Sequence, residues 1–514
     1  MKKQLNNVFD KDKKEATPLF ILEIANNHMG DVDHGLKIIR DFHQVINKFA
    51  FNFAFKFQFR DIDTFIHPDY KDKNDLKYVK RFSQTKLTEK EFRTLKKEVD
   101  KFGYISICTP FDEKSVDLIE KMNFDIIKIG SCSFTDWPLL ERIAKTNKPI
   151  IASTGGAELE DIDKVVGFFQ HRNKNLAILH CVGEYPTPED NLQLNQIDLL
   201  KDRYSDIVIG FSTHEEPSNF LPVQIAIAKG ARIFERHIAI ENEKYPINAY
   251  SSTPNQIEKW LQAADRALKI CGVKDKKALH SEKEMADLRQ FKRGAYAKKL
   301  IKKGEKIDLT NVFFAFPNIE DQILANDMSK YTHFYAKKDF KPNDPIIGTN
   351  IIKVDTRKKI YSIVNTVGKL IKESRVTVPN QADMEISHHY GIDKFEKYGL
   401  TMITCVNRGG YCKKLLIMLP GQNHPVQYHK KKEETFHILH GDFTVKLNGK
   451  VKHCKPGDVL TVKPKVKHSF RTKNGGIMEE ISSTHFINDS YYVDKKITNN
   501  KNRKTFVTYW KDIK

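Results

Sequence analysis

The chain has 514 residues, a net charge of +20 and a pI near 9.3. Hydrophobic residues make up 40% and charged residues 30%, enough for about two to four domains under a strongly charged surface. The charge excess is mostly lysine spread along the whole chain, without an arginine-rich arm or a nucleic-acid motif. It reads as solvated surface suited to an anionic small molecule and argues against a nucleic-acid partner.

The N-terminal stretch "MKKQLNNVFDKDKKE" has no apolar signal core, and residues 1–17 read as a tail. From residue 18, short apolar runs alternate with helical spacing: "LFILEIANN", "FAFKFQF", "YISICTPF", "FDIIKIGS", "PIIASTGG", "LAILHCV", "IVIGFSTH" and "ARIFERHI". Eight such repeats over residues 18–276 predict a TIM (β/α)8 barrel of the α/β class. A doubly wound sheet would call for a glycine-rich fingerprint after the first strand, and "EIANNHMGD" has none. A small β-rich segment is predicted over 285–353 and a linker with one helix over 354–385. An all-β module follows over 386–495, punctuated by "LPGQNHP", "LNGK" and "KPGD", then a loose basic tail over 496–514. No run reaches membrane-spanning length, and the seven cysteines form no CxxC pair. The expectation is a cytoplasmic protein without a membrane partner.

In "FAFKFQF", Phe53, Phe55, Phe57 and Phe59 alternate with Ala54, Lys56 and Gln58. On a barrel strand the phenylalanines face the helices, and Lys56 and Gln58 face the mouth at the strand's C-terminal end. The same parity groups Glu23 with Asn27, Ser212 with His214, and Glu235 with His237. Thr109, Lys128 and Ser153 end strands three, four and five. Two inward lysines with hydroxyls suit a phosphate- or carboxylate-bearing ligand; the plainer reading pairs each lysine with a buried acid such as Glu23 or Glu235. His214 and His237, on neighbouring strands, suit a divalent ion with open positions.

At these residues the chain resembles the sialic acid synthase family. The stretches that carry the resemblance are "EIANNHMGD", "KFQF", "CTPFDEKSVDLIE", "IKIGSCSFTDWPLL", "ASTGG", "HCVGEYPTPEDNLQL", "GFSTH" and "ERHIAI", with "RGAYAKKLIKKGEKIDLTNVFFAFP" similar to the family's antifreeze-like (SAF) domain. The resemblance implies condensation of phosphoenolpyruvate with an aldose, release of phosphate, and Mn²⁺ or Mg²⁺ as cofactor. It also implies a domain-swapped homodimer in which an SAF arginine reaches the partner's site. Lys56, Thr109, Lys128, Ser131, Ser153 and Ser212 would hold phosphoenolpyruvate, and His214 and His237 the metal. Glu23 and Gln58 would sit beside the reacting carbons, Tyr185 against the sugar, and Arg293, or Lys292, would be the arginine given in trans. Ser133, Glu184, Thr213, Ile247 and Asn248 depart from the family pattern on the sugar side, so the expected acceptor is an aldose other than N-acetylmannosamine.

"QYHKKKEETFHILHGD" and "PGDVLTVKPKVKHSF" resemble the two cupin motifs. They imply a second metal, Zn²⁺, Mn²⁺ or Fe²⁺, on His429, Glu434 and His468 with Gln427 in place of a histidine. Lys430, Lys431 and Lys432 would make the adjoining strand basic, and His424, His437 and His440 fall outside the motif. The cupin would bind a sugar or act as an isomerase. The alternative for the whole chain is a non-catalytic sugar-binding or regulatory protein on the same fold.

Overall fold

The computed structural model describes residues 8–10, 17–71, 73, 75–380, 382–486, 489–500, 502–508 and 510. They form two compact units that divide between residues 279 and 280.

In the first unit eight parallel strands close into a barrel in sequence order: β1 (Leu19–Glu23), β2 (Asn52–Phe59), β3 (Ile105–Pro110), β4 (Ile126–Ile129), β5 (Ile150–Ser153), β6 (Leu176–Cys181), β7 (Val208–Thr213) and β8 (Ile233–His237). Strand alternation splits the apolar residues into two cores. Phe53, Phe55, Phe57 and Phe59 pack outward with helix residues such as Ile38, Phe42 and Leu95. Each such buried phenylalanine contributes about 1.5–3 kcal/mol relative to exposure. Ala54 packs inward with Leu19, Ile21, Ile107, Ile126 and Ile151. The helix Glu89–Lys101 starts where Thr88 and Glu91 satisfy each other's backbone amides, and it buries Leu95 and Val99. Gly210 is needed inside β7 because a Cβ there would lie 2.3 Å from the Ile233 carbonyl and 2.5 Å from Leu179.

The apolar inner layer fills the bottom of the barrel, and Val8 closes it from the N-terminal side. That part of the expected tail over 1–17 therefore belongs to the core, while residues 1–7 and 11–16 lie outside the described residues. Above this layer the inward positions turn polar at the strands' C-terminal ends.

In the second unit the helix Glu282–Gln290 precedes a small β region. There Gly294–Ala297 pairs antiparallel with Val312–Ala315, and Lys306–Ile307, Thr332–Ala336 and Ile351–Asp355 form a three-stranded sheet. Two larger antiparallel sheets of seven and five strands follow, with Leu416, Met418, Phe436, Phe443 and Phe470 buried between them.

Two sequence expectations are corrected here. The helix of the expected linker, Arg357–Ser374, is not a spacer: Ile360, Val364 and Val367 share a core with Ile386, Leu415 and Ile417 on the outer face of the seven-stranded sheet. The basic tail is not loose either. Lys504–Val507 is the edge strand of that sheet, paired with Met384–His388, and Trp510 is buried with its indole N–H donated to the Ala382 carbonyl at 2.8 Å. Its lysines and asparagines masked a strand whose partner lies over 100 residues earlier. Among the described residues no helix is long and apolar enough to cross a membrane.

Candidate active site

Parallel register builds the polar layer at the top of the barrel. Glu23 on β1 stands beside Lys56 on one side and His237 on the other, Gln58 beside Thr109, and Ser212 beside Glu235. Glu23, Lys56, Lys128 and Glu235 are each less than 5% exposed. Lys56 Nζ pairs with Glu23 Oε2, reaches Glu235 Oε1 at 3.3 Å and donates to Thr109 Oγ1 at 3.3 Å. Lys128 Nζ donates to Ser153 Oγ at 2.6 Å and lies 3.7 Å from Glu235 Oε1, which also accepts from Ser212 Oγ at 3.0 Å. The plainer sequence reading thus describes the site without ligand, in which two ammonium groups share two acids.

The electrostatics follow from burial and these pairs. Burial opposes the Lys56 ammonium, but Glu23 and Glu235 outweigh it and raise its pKa. Burial lowers Lys128, which only Glu235 and more distant acids offset. Burial also opposes the Glu235 carboxylate, yet Lys128 and Lys56 pull its pKa down to about 2. Burial raises Glu23 despite Lys56. The four groups carry two positive and at most two negative charges, so an entering anion meets ammonium groups already desolvated and held in place.

His214 donates Nδ1–H to the Val182 carbonyl at 2.9 Å, and its side chain also hydrogen-bonds the Cys181 thiol. His237 Nδ1 is buried without a hydrogen-bond partner, and the two rings lie 5.3 Å apart between centroids. This pair fits a divalent ion as two of its ligands. Among the described residues no third histidine, cysteine or carboxylate joins them as a cluster, so water and substrate would complete the shell. Tyr185, 53% exposed, has its ring tilted 47° to that of His214 with centroids 4.2 Å apart, and Tyr250 stands 5.1 Å from His237 and 5.2 Å from Tyr185. Ser131 Oγ accepts from the Gly155 amide at 3.1 Å, and a Cβ on Gly155 would come within 2.8 Å of that oxygen.

Not every expected residue joins this group. The Gln58 amide oxygen is taken by both terminal nitrogens of Arg60 at 3.1 Å, and Arg60 is sandwiched over Phe111 and Phe82 at 3.6 and 4.1 Å. Arg293 is exposed and belongs to the second unit, its guanidinium 6.0 Å from the Phe314 ring. Ser133 is buried in a turn, and the Glu184 carboxylate accepts from Asn191 within its own loop at 2.9 Å. Asn248 reaches back to Asn27 Oδ1 at 3.2 Å. Sequence reading counted Glu235 only as a counter-ion and missed Arg60 and Tyr250. "RDID" and "NAYSS" carry no signal that those two side chains turn toward the barrel mouth.

The second unit holds another polar cluster, between its two sheets. His429 Nε2 and His468 Nε2 each lie 3.2 Å from an oxygen of Glu434, and Gln427 Nε2 lies 3.3 Å from His468 Nε2. His429 Nδ1 donates to the Asp489 carbonyl at 2.6 Å and His468 Nδ1 to the Val466 carbonyl at 3.1 Å. His468 Nε2 is left to accept from the Gln427 amide, whereas His429 Nε2 and Glu434 Oε2 are buried without a hydrogen-bond partner, so both rings set an acceptor nitrogen against a carboxylate, which calls for a cation or a proton between them. The donor set His429, Glu434 and His468 fits a divalent metal. Lys432 departs from the expectation that Lys430, Lys431 and Lys432 together make the adjoining strand basic. It is 3% exposed and turned inward, with Nζ 2.5 Å from Glu434 Oε1 and 2.8 Å from Glu480 Oε1. His424, outside the motif, is buried and stacks on Phe470 at 4.4 Å in the same cavity.

Comparison with known proteins agrees with this architecture. Residues 52–276 match the NeuB family and residues 414–481 match the cupin domain. The chain is 32% identical over 316 residues to an uncharacterized protein of Methanocaldococcus jannaschii, covering 60% of this chain and 89% of that one. It is 29% identical over 345 residues to the N,N'-diacetyllegionaminic acid synthase of Campylobacter jejuni, covering 64% of this chain and 98% of that one. A crystal structure from Chromobacterium violaceum, named for a spore coat polysaccharide biosynthesis protein E, superposes with a TM-score of 0.63 at 49% identity. It spans 65% of this chain and 99% of that one.

Proposed function

The chain belongs to the NeuB family and carries a C-terminal cupin domain, and from this premise we propose that its barrel condenses phosphoenolpyruvate with an aldose. The products are a sialic-acid-like 3-deoxy-2-ulosonic acid and phosphate. The observation that carries this reading is the pair of buried ammonium groups, Lys56 on β2 and Lys128 on β4, brought together across the barrel mouth by Glu235 with Thr109, Ser153 and Ser212 around them.

In this reading the phosphate and carboxylate of phosphoenolpyruvate replace Glu23 and Glu235 as partners of the lysines. The ammonium groups hold the anion through the reaction and need no reorganisation as charge moves. C3 of phosphoenolpyruvate bonds to the aldehyde carbon, whose oxygen takes a proton and becomes a hydroxyl. Water adds to the cation left at C2, and the C–O bond breaks to release phosphate. Glu23, displaced from Lys56, orients that water or a sugar hydroxyl. A divalent ion, Mn²⁺ or Mg²⁺, on His214 and His237 would supply polarisation of the aldehyde carbonyl. Tyr185 and Tyr250 form the aromatic wall against which the sugar lies. Arg293 is the residue proposed to act in trans within a domain-swapped dimer.

The cupin is proposed to bind a sugar or sugar acid of the same route, with its own metal, Zn²⁺, Mn²⁺ or Fe²⁺, on His429, Glu434 and His468. The test is mass spectrometry of products from phosphoenolpyruvate and a panel of aldoses, with phosphate followed in parallel. A 3-deoxy-2-ulosonic acid from an aldose other than N-acetylmannosamine is expected. N-Acetylmannosamine should react at least about 10²-fold more slowly, because a site that lacks partners for its polar groups discriminates strongly. Absence of phosphate release with every aldose would overturn the proposal.

A further inference from the structure

The strand Cys412–Met418 alternates cleanly. Leu415 and Ile417 face the helix Arg357–Ser374, whereas Leu416 and Met418 face the interior between the sheets. Lys414 has the interior parity. It is 3% exposed, lines the same cavity as Glu434 and His468, and has neither hydrogen bond nor ion pair among the described residues. Its cross-strand neighbour is Glu480, but Glu480 Oε1 is already taken by Lys432 at 2.8 Å and by Ser482 Oγ at 3.0 Å. Lys504, also on the cavity wall, is satisfied by Glu385 at 2.8 Å. Lys432 is satisfied twice over. Among the described residues that line the cavity the lone ammonium is Lys414, and His485 lines it with a buried Nδ1 that has no partner there.

A buried ammonium without an acceptor costs several kcal/mol. Nothing in the architecture requires it, since Met would fill the position. A ligand that supplies the missing acceptor removes that cost. The cavity is narrow, about 30 Å³, so it admits only the carboxylate-bearing end of a ligand, and the rest of a larger sugar acid stays outside it. One unpaired ammonium offsets a single negative charge, and the neighbouring Glu434 and Glu480 repel a dianion, which selects a carboxylate over a phosphate. In the same cavity His429 Nε2 is buried without a hydrogen-bond partner and can accept from a hydroxyl on the adjoining carbon, and the Gln427 amide offers a donor to a carbonyl oxygen there.

We propose that Lys414 is the carboxylate-binding residue of a sugar-acid site in the cupin cavity, and that its ligand is a 2-oxo or 2-hydroxy acid. If the barrel makes a 2-ulosonic acid, as proposed above, this ligand class includes its product, whose carboxylate is bonded to an oxygen-bearing C2. The cupin then reads or processes what the barrel releases.

The test is calorimetric titration of the full-length chain with N-acetylneuraminate, pyruvate, inorganic phosphate and neutral N-acetylmannosamine, on wild type, Lys414→Met and Lys128→Met. N-Acetylneuraminate should show a binding step that persists in Lys128→Met, where the barrel site is impaired, and that is at least about tenfold weaker in Lys414→Met, a change of about 1.4 kcal/mol. Pyruvate should follow the same pattern more weakly, and N-acetylmannosamine should show no dependence on Lys414. Lys414→Met should also unfold at a higher temperature than wild type, because it loses an unpaired charge. Equal binding by Lys414→Met, loss of binding in Lys128→Met, tighter binding of phosphate than of either carboxylate, no binding by wild type, or a lowered melting temperature for Lys414→Met would each overturn the assignment. Failure of the barrel proposal is read separately, as the absence of phosphate release from phosphoenolpyruvate by wild type.

Discussion

Glu235 Oε1 lies 3.3 Å from Lys56 Nζ, and the same oxygen is 3.7 Å from Lys128 Nζ. One acid of β8 therefore holds the two lysines in place for an anion that displaces it. Lys56→Ala and Lys128→Ala are each expected to lower phosphate release by at least about 10²-fold and to abolish the rise in melting temperature caused by phosphoenolpyruvate. Glu235→Ala leaves two buried ammonium groups facing one acid and should cost about 3–5 kcal/mol of stability. Part of that loss should return when phosphoenolpyruvate is added. Urea unfolding with and without the ligand checks both effects, and full activity in either lysine variant would remove the lysines from the mechanism.

His28 supplies a pH dependence in the barrel unit. Burial, and secondarily His34, lowers its pKa from the ordinary 6.5 to about 4, and its Nδ1 accepts from the Gly30 amide at 3.1 Å. The unfolded chain thus binds a proton between these two values that the folded chain refuses. The stability held by neutral His28 is complete above pH 6.5 and is lost as pH falls toward 4, to a total of about 3 kcal/mol. His28→Asn should lack this component. Its stability difference from wild type, measured by urea unfolding, should shift in the variant's favour on going from neutral to acid pH; a pH-independent difference would reject this.

Lys432 competes with a metal for Glu434. Its Nζ is 2.5 Å from Glu434 Oε1, so a divalent ion on His429, Glu434 and His468 must displace an ammonium. Lys432→Met is expected to raise the affinity of the full-length chain for Zn²⁺ or Mn²⁺ by at least about tenfold. The double variant His429→Ala, Glu434→Ala should lose one equivalent of metal. Elemental analysis after dialysis at controlled free metal measures both, and unchanged metal content in the double variant would dismiss the cupin centre.

Trp510 fastens the end of the chain. It is buried and donates to the Ala382 carbonyl, next to the strand that Lys504–Val507 extends. Trp510→Ala should destabilise the second unit by about 3–5 kcal/mol, and truncation after residue 500 should cost more because it also exposes Met384–His388 as an edge. Thermal unfolding should show the effect in the second unit's transition while phosphate release is retained below that transition.

Period-two alternation is a local property, and it made much of this protein legible. "FAFKFQF" alone assigned four phenylalanines to the outer core and Lys56 to the inner face, and the structure agrees. Eight repeats of strand and helix spacing specified the closed barrel, and the cupin motifs placed His429, Glu434 and His468 in one cluster. What required tertiary structure was pairing over distance and the direction of flexible side chains. The register of β8 against β1 and β7 decides that Glu235 meets two lysines from β2 and β4. A sandwich of Phe82 and Phe111 draws Arg60 back over Gln58. The fold, not composition, turned Lys432 inward, left Lys414 without a hydrogen-bond or ion-pair partner among the described residues and made an edge strand of the basic C-terminal segment. Alternation depends on one residue and the next, whereas a salt bridge or a sheet edge depends on segments brought together by the closing of the whole fold.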